Sequence, residues 1–208
     1  MIAALLAEGS SDKALLPILR WVLACASPVS SRIEWIDTSS VQPRRATLLD
    51  KVKAAKTICQ CDLLFVHRDS DKQSPELRYE EIRQAVGDQN HVAVVPIRMT
   101  EAWLLIDAES IRAASGKPSG VEDLGLPPLA KLEAEAEPKD TLYKVLKRAH
   151  GATGRRAHSF HPPTAAQRLA DLIEDWTPLR RLSAFQRLEE DTRSALRALG
   201  HELHPARS

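Results

Sequence analysis

The sequence predicts an α/β fold: a mostly parallel four-stranded sheet flanked by helices, followed by an α-helical C-terminal extension. Two observations carry this expectation. Over roughly the first 100 residues, four short apolar runs alternate with segments of helical spacing, the rhythm of strands joined by crossover helices. Beyond them the apolar residues recur only at helical intervals.

Taken in order, Ile2–Ala7 is a continuous apolar run that ends at Glu8-Gly9, as a buried strand ends in a tight turn. It has no basic leader, so it reads as a strand rather than a secretory signal. Ser10, Ser11 and Asp12 are candidate N-caps of an amphipathic helix over Lys13–Ala26. Arg32–Asp37 alternates apolar and polar residues and reads as a second, edge-like strand. Arg44–Ile58 has helical spacing through Leu48, Leu49, Val52, Ala55 and Ile58. Asp62–His67 is a third strand that empties into the acidic loop Arg68-Asp69-Ser70-Asp71-Lys72. Ser74-Pro75 opens a helix to Val86, with proline where its missing N–H costs nothing. His91–Ile97 is the fourth strand, and Pro96 marks its end or a bend.

After Ile97, Thr100–Asp107 reads as a short apolar helix capped by Thr100, and Gly116–Pro128 as a loop. Helices are expected at about 141–149, 164–175 and 183–199, with a long polar loop over Gly151–Pro163. The organisation expected is an α/β domain over 1–107 and a helical extension over 108–208 packed on it, the two forming either separate units or one compact body.

Composition narrows the class. Hydrophobic residues make up 43% and charged residues 27% of 208, ordinary values for a globular chain. No apolar run approaches the roughly 20 residues of a membrane span. Cys25, Cys59 and Cys61 are an odd set without zinc-site companions, which suits free thiols in a reducing cytoplasm. Residues 141–208 hold 12 Lys and Arg against 7 Asp and Glu, a surplus of +5 that leaves −4 for the rest of the chain. A polyanion would favour the basic part, and the acidic part would need a metal ion before meeting a phosphate. No G-x-x-x-x-G-K-[ST] motif occurs, so no P-loop binds ATP here.

Ligands of parallel sheets bind outside the carboxyl ends of the strands. Glu8 follows the first strand, and Asp69 and Asp71 follow the third, so parallel strands would bring the three acids to one edge. Two carboxylates at D-x-D spacing on such a loop suit a hard divalent cation, magnesium or manganese, with Glu8 as a further ligand or a general base. A cation would relieve their mutual repulsion and make attack on a phosphodiester feasible. Glu101 falls on the same expected edge, where a helix's first turn also favours an acid. Lys72 is a candidate phosphate contact, and Arg155, Arg156, His158 and His161 form a basic loop able to follow a phosphate backbone. Trp103 reads as core packing. Asp12 reads as a cap, and His67 as a satisfied, partly buried histidine.

The Glu8-Gly9 turn after the first strand, with Asp69-x-Asp71 after the third, resembles the TOPRIM fold of topoisomerases, primases and OLD-type nucleases over about the first 100 residues. The remainder resembles a group of small bacterial TOPRIM-related proteins catalogued as a domain of unknown function. That likeness rests on Glu101-Ala102-Trp103 with Asp107, on Pro138-Lys139 before a helix, and on Ser183-Ala184-Phe185. The resemblance implies that Glu8 is the general acid/base or a ligand of a second metal, that Asp69 and Asp71 hold magnesium, and that Glu101 belongs to the site. It places Lys139 opposite the cleft, where it would stabilise developing phosphate charge. It also implies a nucleic-acid substrate, an ABC-type ATPase as a partner chain and a role in bacterial anti-phage defence. The expectation is a magnesium-dependent nuclease. Its alternative is a non-catalytic regulatory subunit that binds a partner ATPase or nucleic acid. A small-molecule phosphohydrolase is a third reading, disfavoured because the first strand carries no D-x-D-x-[TV] loop.

Overall fold

A computed structural model describes residues 1–38 and 46–205, apart from the side chains of Arg155 and Arg156. The helix start expected at Arg44 lies outside the described residues. Four strands, β1 (Ile2–Leu6), β2 (Arg32–Trp35), β3 (Leu63–His67) and β4 (His91–Val94), form one all-parallel sheet in the order β2-β1-β3-β4. The crossovers are α1 (Leu15–Ala26), α2 (Leu48–Ile58) and α3 (Pro75–Val86). Their starts follow from local chemistry. Thr47 and Asp50 cap each other's backbone N–H groups at α2, and Ser74 with Pro75 opens α3.

Strand alternation divides the core. Ala4, Leu6, Leu64 and Val66 point to one face, where Val52 and Ala55 of α2 and Ile82 and Val86 of α3 cover them. Ala3, Leu5, Leu63, Phe65, Val92 and Val94 point to the other, against α1. A single helix cannot span four strands, each about 4.8 Å from the next. Shelter for the β4 end of this face comes from the last helix of the chain.

That helix closes the extension, which comprises α4 (Ala108–Ala114), α5 (Pro138–His150), α6 (Gly154–Ser159), α7 (Pro162–Leu172) and α8 (Ser183–Ala198). α8 lies across both β4 and α1. Its Phe185 is wholly buried, 5.5 Å edge-on to Trp103 and 6.2 Å from Trp21 of α1. The chain then returns to the end of α1, where the His204 N–H donates to the Ala26 carbonyl at 2.9 Å. Residues of the sheet, α1, α5, α7 and α8 belong to one continuous buried cluster. Among the described residues no helix is long and apolar enough to cross a membrane.

Two local expectations change. Thr100–Leu104 is a 3-10 turn rather than an α-helix, and Asp107 ends that region by capping α4 through the Glu109 and Ser110 N–H groups. The Gly151–Pro163 loop contains α6, which starts after Gly151 closes α5 in the left-handed conformation (φ 63°).

Because Phe185 anchors the extension to the sheet, Phe185→Ala should destabilise the whole molecule by about 3–5 kcal/mol. Urea unfolding followed by tryptophan fluorescence and circular dichroism should show one coincident transition shifted to lower denaturant. Separate transitions for sheet and extension would contradict the shared core.

Candidate functional site

Strand order creates the crevice. The chain leaves β1 to one side for β2 and then returns past it to β3, so the loops after β1 and β3 diverge at the carboxyl end of the sheet. This is the switch point at which open parallel sheets bind ligands. The loop after β1 carries Glu8 and Asp12, and the loop after β3 carries Asp69 and Asp71.

Asp12 shapes the first loop. Its Oδ2 accepts the N–H groups of Glu8 (3.1 Å) and Gly9 (2.9 Å) at the start of a 3-10 turn, Ser10–Ala14. The second loop is zipped to the segment after β4. Ser70 N–H donates to the Pro96 carbonyl (3.3 Å), Asp71 N–H to the Arg98 carbonyl (2.9 Å), and Arg98 N–H to Ser70 Oγ (2.9 Å). Asp69 completes the zipper: its Oδ1 accepts the Thr100 N–H at 3.0 Å, at the start of the turn that bears Glu101.

His67 stands at the centre. It continues the row of Leu63 and Phe65 on one sheet face, and its ring is fully buried. A carbonyl can only accept, so the 3.0 Å contact between Nδ1 and the Val94 oxygen puts a proton on Nδ1. Nε2 is thereby aimed at Asp69 Oδ1 (3.4 Å), Thr100 Oγ1 (3.4 Å) and Asp12 Oδ2 (3.9 Å).

Asp69 is the electrostatic focus, with only 13% of its side chain exposed. Burial pushes its carboxyl from 3.8 up to about 7; His67 pulls it down, and the charges of Glu101, Asp12 and Glu8 raise it further. Glu101 is equally sheltered, at 13%, and its Oε1 lies 3.7 Å from Lys139 Nζ of α5. Glu8 is half-exposed and lines a separate recess with Lys51 and Arg68; it is ion-paired with Arg68, which also binds Glu81 at 2.7 Å. In front of Asp12, Thr100 and Glu101 opens a cleft of about 240 Å³. Its far wall is Tyr143 of α5 with Pro163, Thr164 and Gln167 of α7, so the extension builds half of the cleft.

The expected site residues therefore divide. Glu8 and Glu101 are each brought within electrostatic reach of Asp69, and Lys139 faces Glu101. Asp71 is not gathered with them. Its backbone is left-handed (φ 52°), its side chain is 57% exposed, and its Oδ2 lies 3.8 Å from Arg78. Exposed Lys72 lines the same outer cleft as Asp71. The side chains of Arg155 and Arg156 lie outside the described residues. His158 and His161 are exposed, and His161 Nδ1 lies 2.8 Å from Thr164 Oγ1. Trp103 is a buried core residue.

Sequence reasoning missed the central place of His67 and the reach of Asp12 into the cluster. The signal for His67 was its parity with Leu63 and Phe65, which directs it into the core beneath the acidic loop. Among the described residues, no three His, Cys, Asp or Glu side chains form a group that could hold a metal ion. No family model matches the chain, and no curated protein or solved structure matches it.

The Asp69 carboxyl protonates near 7 in the native state and near 3.8 when unfolded, so between these values the native state binds the extra proton. Stability from this group therefore falls as pH rises from about 4 to about 7, and the loss is complete above 7. Asp69→Asn keeps the shape and removes the charge. It should be more stable than the wild type by about 2–4 kcal/mol at pH 8, with the gap nearly gone at about pH 4. Urea melts at the two pH values test this, and an equal difference at both would contradict a raised Asp69 pKa.

Proposed function

We propose that the chain is a TOPRIM-type phosphoryl-transfer protein, a nuclease that works with magnesium or manganese at the acidic crevice around Asp69. The observation that carries this reading is the Asp69 carboxyl held near 7 at a switch-point crevice, surrounded by Glu8, Asp12 and Glu101. Burying like charges together works against folding, and such arrangements collect at sites that act on ligands.

The donor type suits the proposed ion, which would have to draw the acids together, since no three of them stand as a formed metal group among the described residues. Carboxylate oxygens are the hard ligands that magnesium and manganese prefer, and repulsion among these acids is what a divalent cation relieves. Asp69 and Glu101 would hold it, with Glu8 as a further ligand or a general base. When bound, the ion would neutralise phosphate charge and acidify a water or hydroxyl nucleophile. The remaining roles belong to the chain. The Thr100 N–H and His67 orient Asp69, and Asp12 fixes the turn that presents Glu8. Lys139 and Arg68, now partners of Glu101 and Glu8, are the cations available to substrate phosphates. Nucleic acid as substrate, an ABC-type ATPase as partner chain and anti-phage defence as the setting enter the proposal through the resemblance alone.

A second reading is a regulatory subunit in which the same pocket is a structural relic. What favours it is that three of the four expected acids already have a cationic neighbour: Arg68 for Glu8, Lys139 for Glu101 and Arg78 for Asp71.

Calorimetry with magnesium or manganese separates the two. Under the nuclease reading the wild type binds, and Asp69→Asn and Glu101→Gln each weaken binding by about tenfold or more. Because the ion must displace the Asp69 proton, affinity should climb by up to about tenfold per pH unit below 7 and level off above it. Asp69→Asn should also abolish metal-dependent oligonucleotide cleavage. Absence of binding in the wild type would move the assignment to the regulatory reading.

A further inference from the structure

A second cleft, of about 350 Å³, opens at the same end of the sheet, lined by Lys72, Arg78 and Arg98 together with Asp71, Met99 and Glu137. Asp69 is tied to Thr100 of the first cleft and Asp71 lines this one, so the short Asp69-Ser70-Asp71 loop links the two.

The three cations are not equivalent. Arg78 is a buttress: its Nε donates to the Asp69 carbonyl (3.1 Å), its Nη1 binds Glu81 (2.9 Å), and its Nη2 lies 3.8 Å from Asp71. Arg98 and Lys72 carry charge without such commitments. Among the described residues neither has a carboxylate partner, and the Arg98 guanidinium reaches only the Asp71 carbonyl, at 3.4 Å. Asp71 is already matched by Arg78, which leaves Glu137, exposed beside the cleft, as the opposing charge.

The backbone here is unusual. Asp71 (φ 52°) and Arg98 (φ 68°) are the non-glycine residues with positive φ among the described residues, and they hydrogen-bond to each other. A left-handed non-glycine residue costs on the order of 1 kcal/mol, and persists where surrounding contacts enforce it. Here those contacts turn the Asp71 carboxylate out of the acid pocket and set Arg98 on the wall of the basic cleft.

We propose that this cleft is a phosphate-binding subsite for a polynucleotide backbone, with Arg98 and Lys72 as the anion-binding residues. The inference rests on the reading that the acidic crevice around Asp69 takes a phosphodiester. A chain crossing the Asp69–Asp71 loop then sets one phosphate at the acids and a neighbouring one between Arg98 and Lys72. An acidic side and a basic side on one short loop match a substrate whose reacting phosphate needs a cation and whose flanking phosphates need only counter-charge. Guanidinium suits this role because its planar fork pairs with two phosphate oxygens at once.

The test is fluorescence anisotropy of the full chain with a labelled single-stranded oligonucleotide, in EDTA and over a salt series. Arg98→Gly removes the charge at a position whose backbone glycine tolerates, Lys72→Ala removes the second cation, and Arg98→Lys restores charge. Arg98→Gly and Lys72→Ala should each weaken binding and lower the slope of log K against log salt by about one, with Arg98→Lys recovering most of the slope. Wild-type binding with unchanged slopes in both variants would overturn the subsite and leave the acid pocket to be judged by its metal calorimetry. Failure of the wild type to bind any oligonucleotide would overturn the subsite outright, whatever the calorimetry shows.

Discussion

Placing β1 between β2 and β3 is the constraint on which the rest of the molecule depends. Once the chain must reach β2 on one side and β3 on the other, α1 and α2 fall on opposite faces, and the loops after β1 and β3 part. The crevice thus comes from connectivity before any side chain is chosen. Connectivity also leaves the face under Val92 and Val94 without a crossover helix of its own, and α8 supplies that cover. Closing the core and completing the site are then one act, because the helices that lead to α8 include α5 with Tyr143 and α7 with Gln167, which together form the far wall of the acid cleft.

Within the crevice, electrostatics and backbone geometry work against each other. The Thr100 N–H and the His67 ring favour a charged Asp69, whereas burial and three acidic neighbours oppose it, and opposition wins by enough to bring the carboxyl to about 7. A structural carboxylate cap would be expected well below the ordinary value, since hydrogen bonds to the charged form lower a pKa. Asp50 behaves so at the start of α2: its hydrogen bonds with Thr47 lower it. Two carboxylates that accept backbone N–H bonds in one chain are thus shifted in opposite directions. What separates them is burial and neighbouring charge, both properties of the site rather than of the capping motif.

The strands were legible because each is a short apolar run bounded by polar residues, and Glu8, Asp69 and Glu101 were legible because they follow three of those runs. Asp71 was not. The D-x-D spacing suggests two carboxylates working together, but a left-handed backbone at Asp71 turns the second one outward, and nothing in the letters requires a non-glycine residue to adopt φ near 52°. Arg98 escaped notice for the same reason. Asp12 was seen as a cap, which it is, yet its contact with His67 depends on a strand 55 residues away in sequence. Amphipathic spacing announced the C-terminal helices without saying which face of the sheet they cover, because that choice rests on long-range contacts such as Phe185 with Trp103.

The central claim is that Asp69 holds a proton close to neutral pH because of where the fold buries it. Carboxyl ¹³C NMR titration of the wild type, with the Asp69 resonance assigned by its loss in Asp69→Asn, measures this directly. A midpoint near 7 for that resonance agrees with the structure. A midpoint at or below the ordinary 3.8 would mean that Asp69 is a stabilised structural carboxylate, and would remove the electrostatic basis for a catalytic pocket.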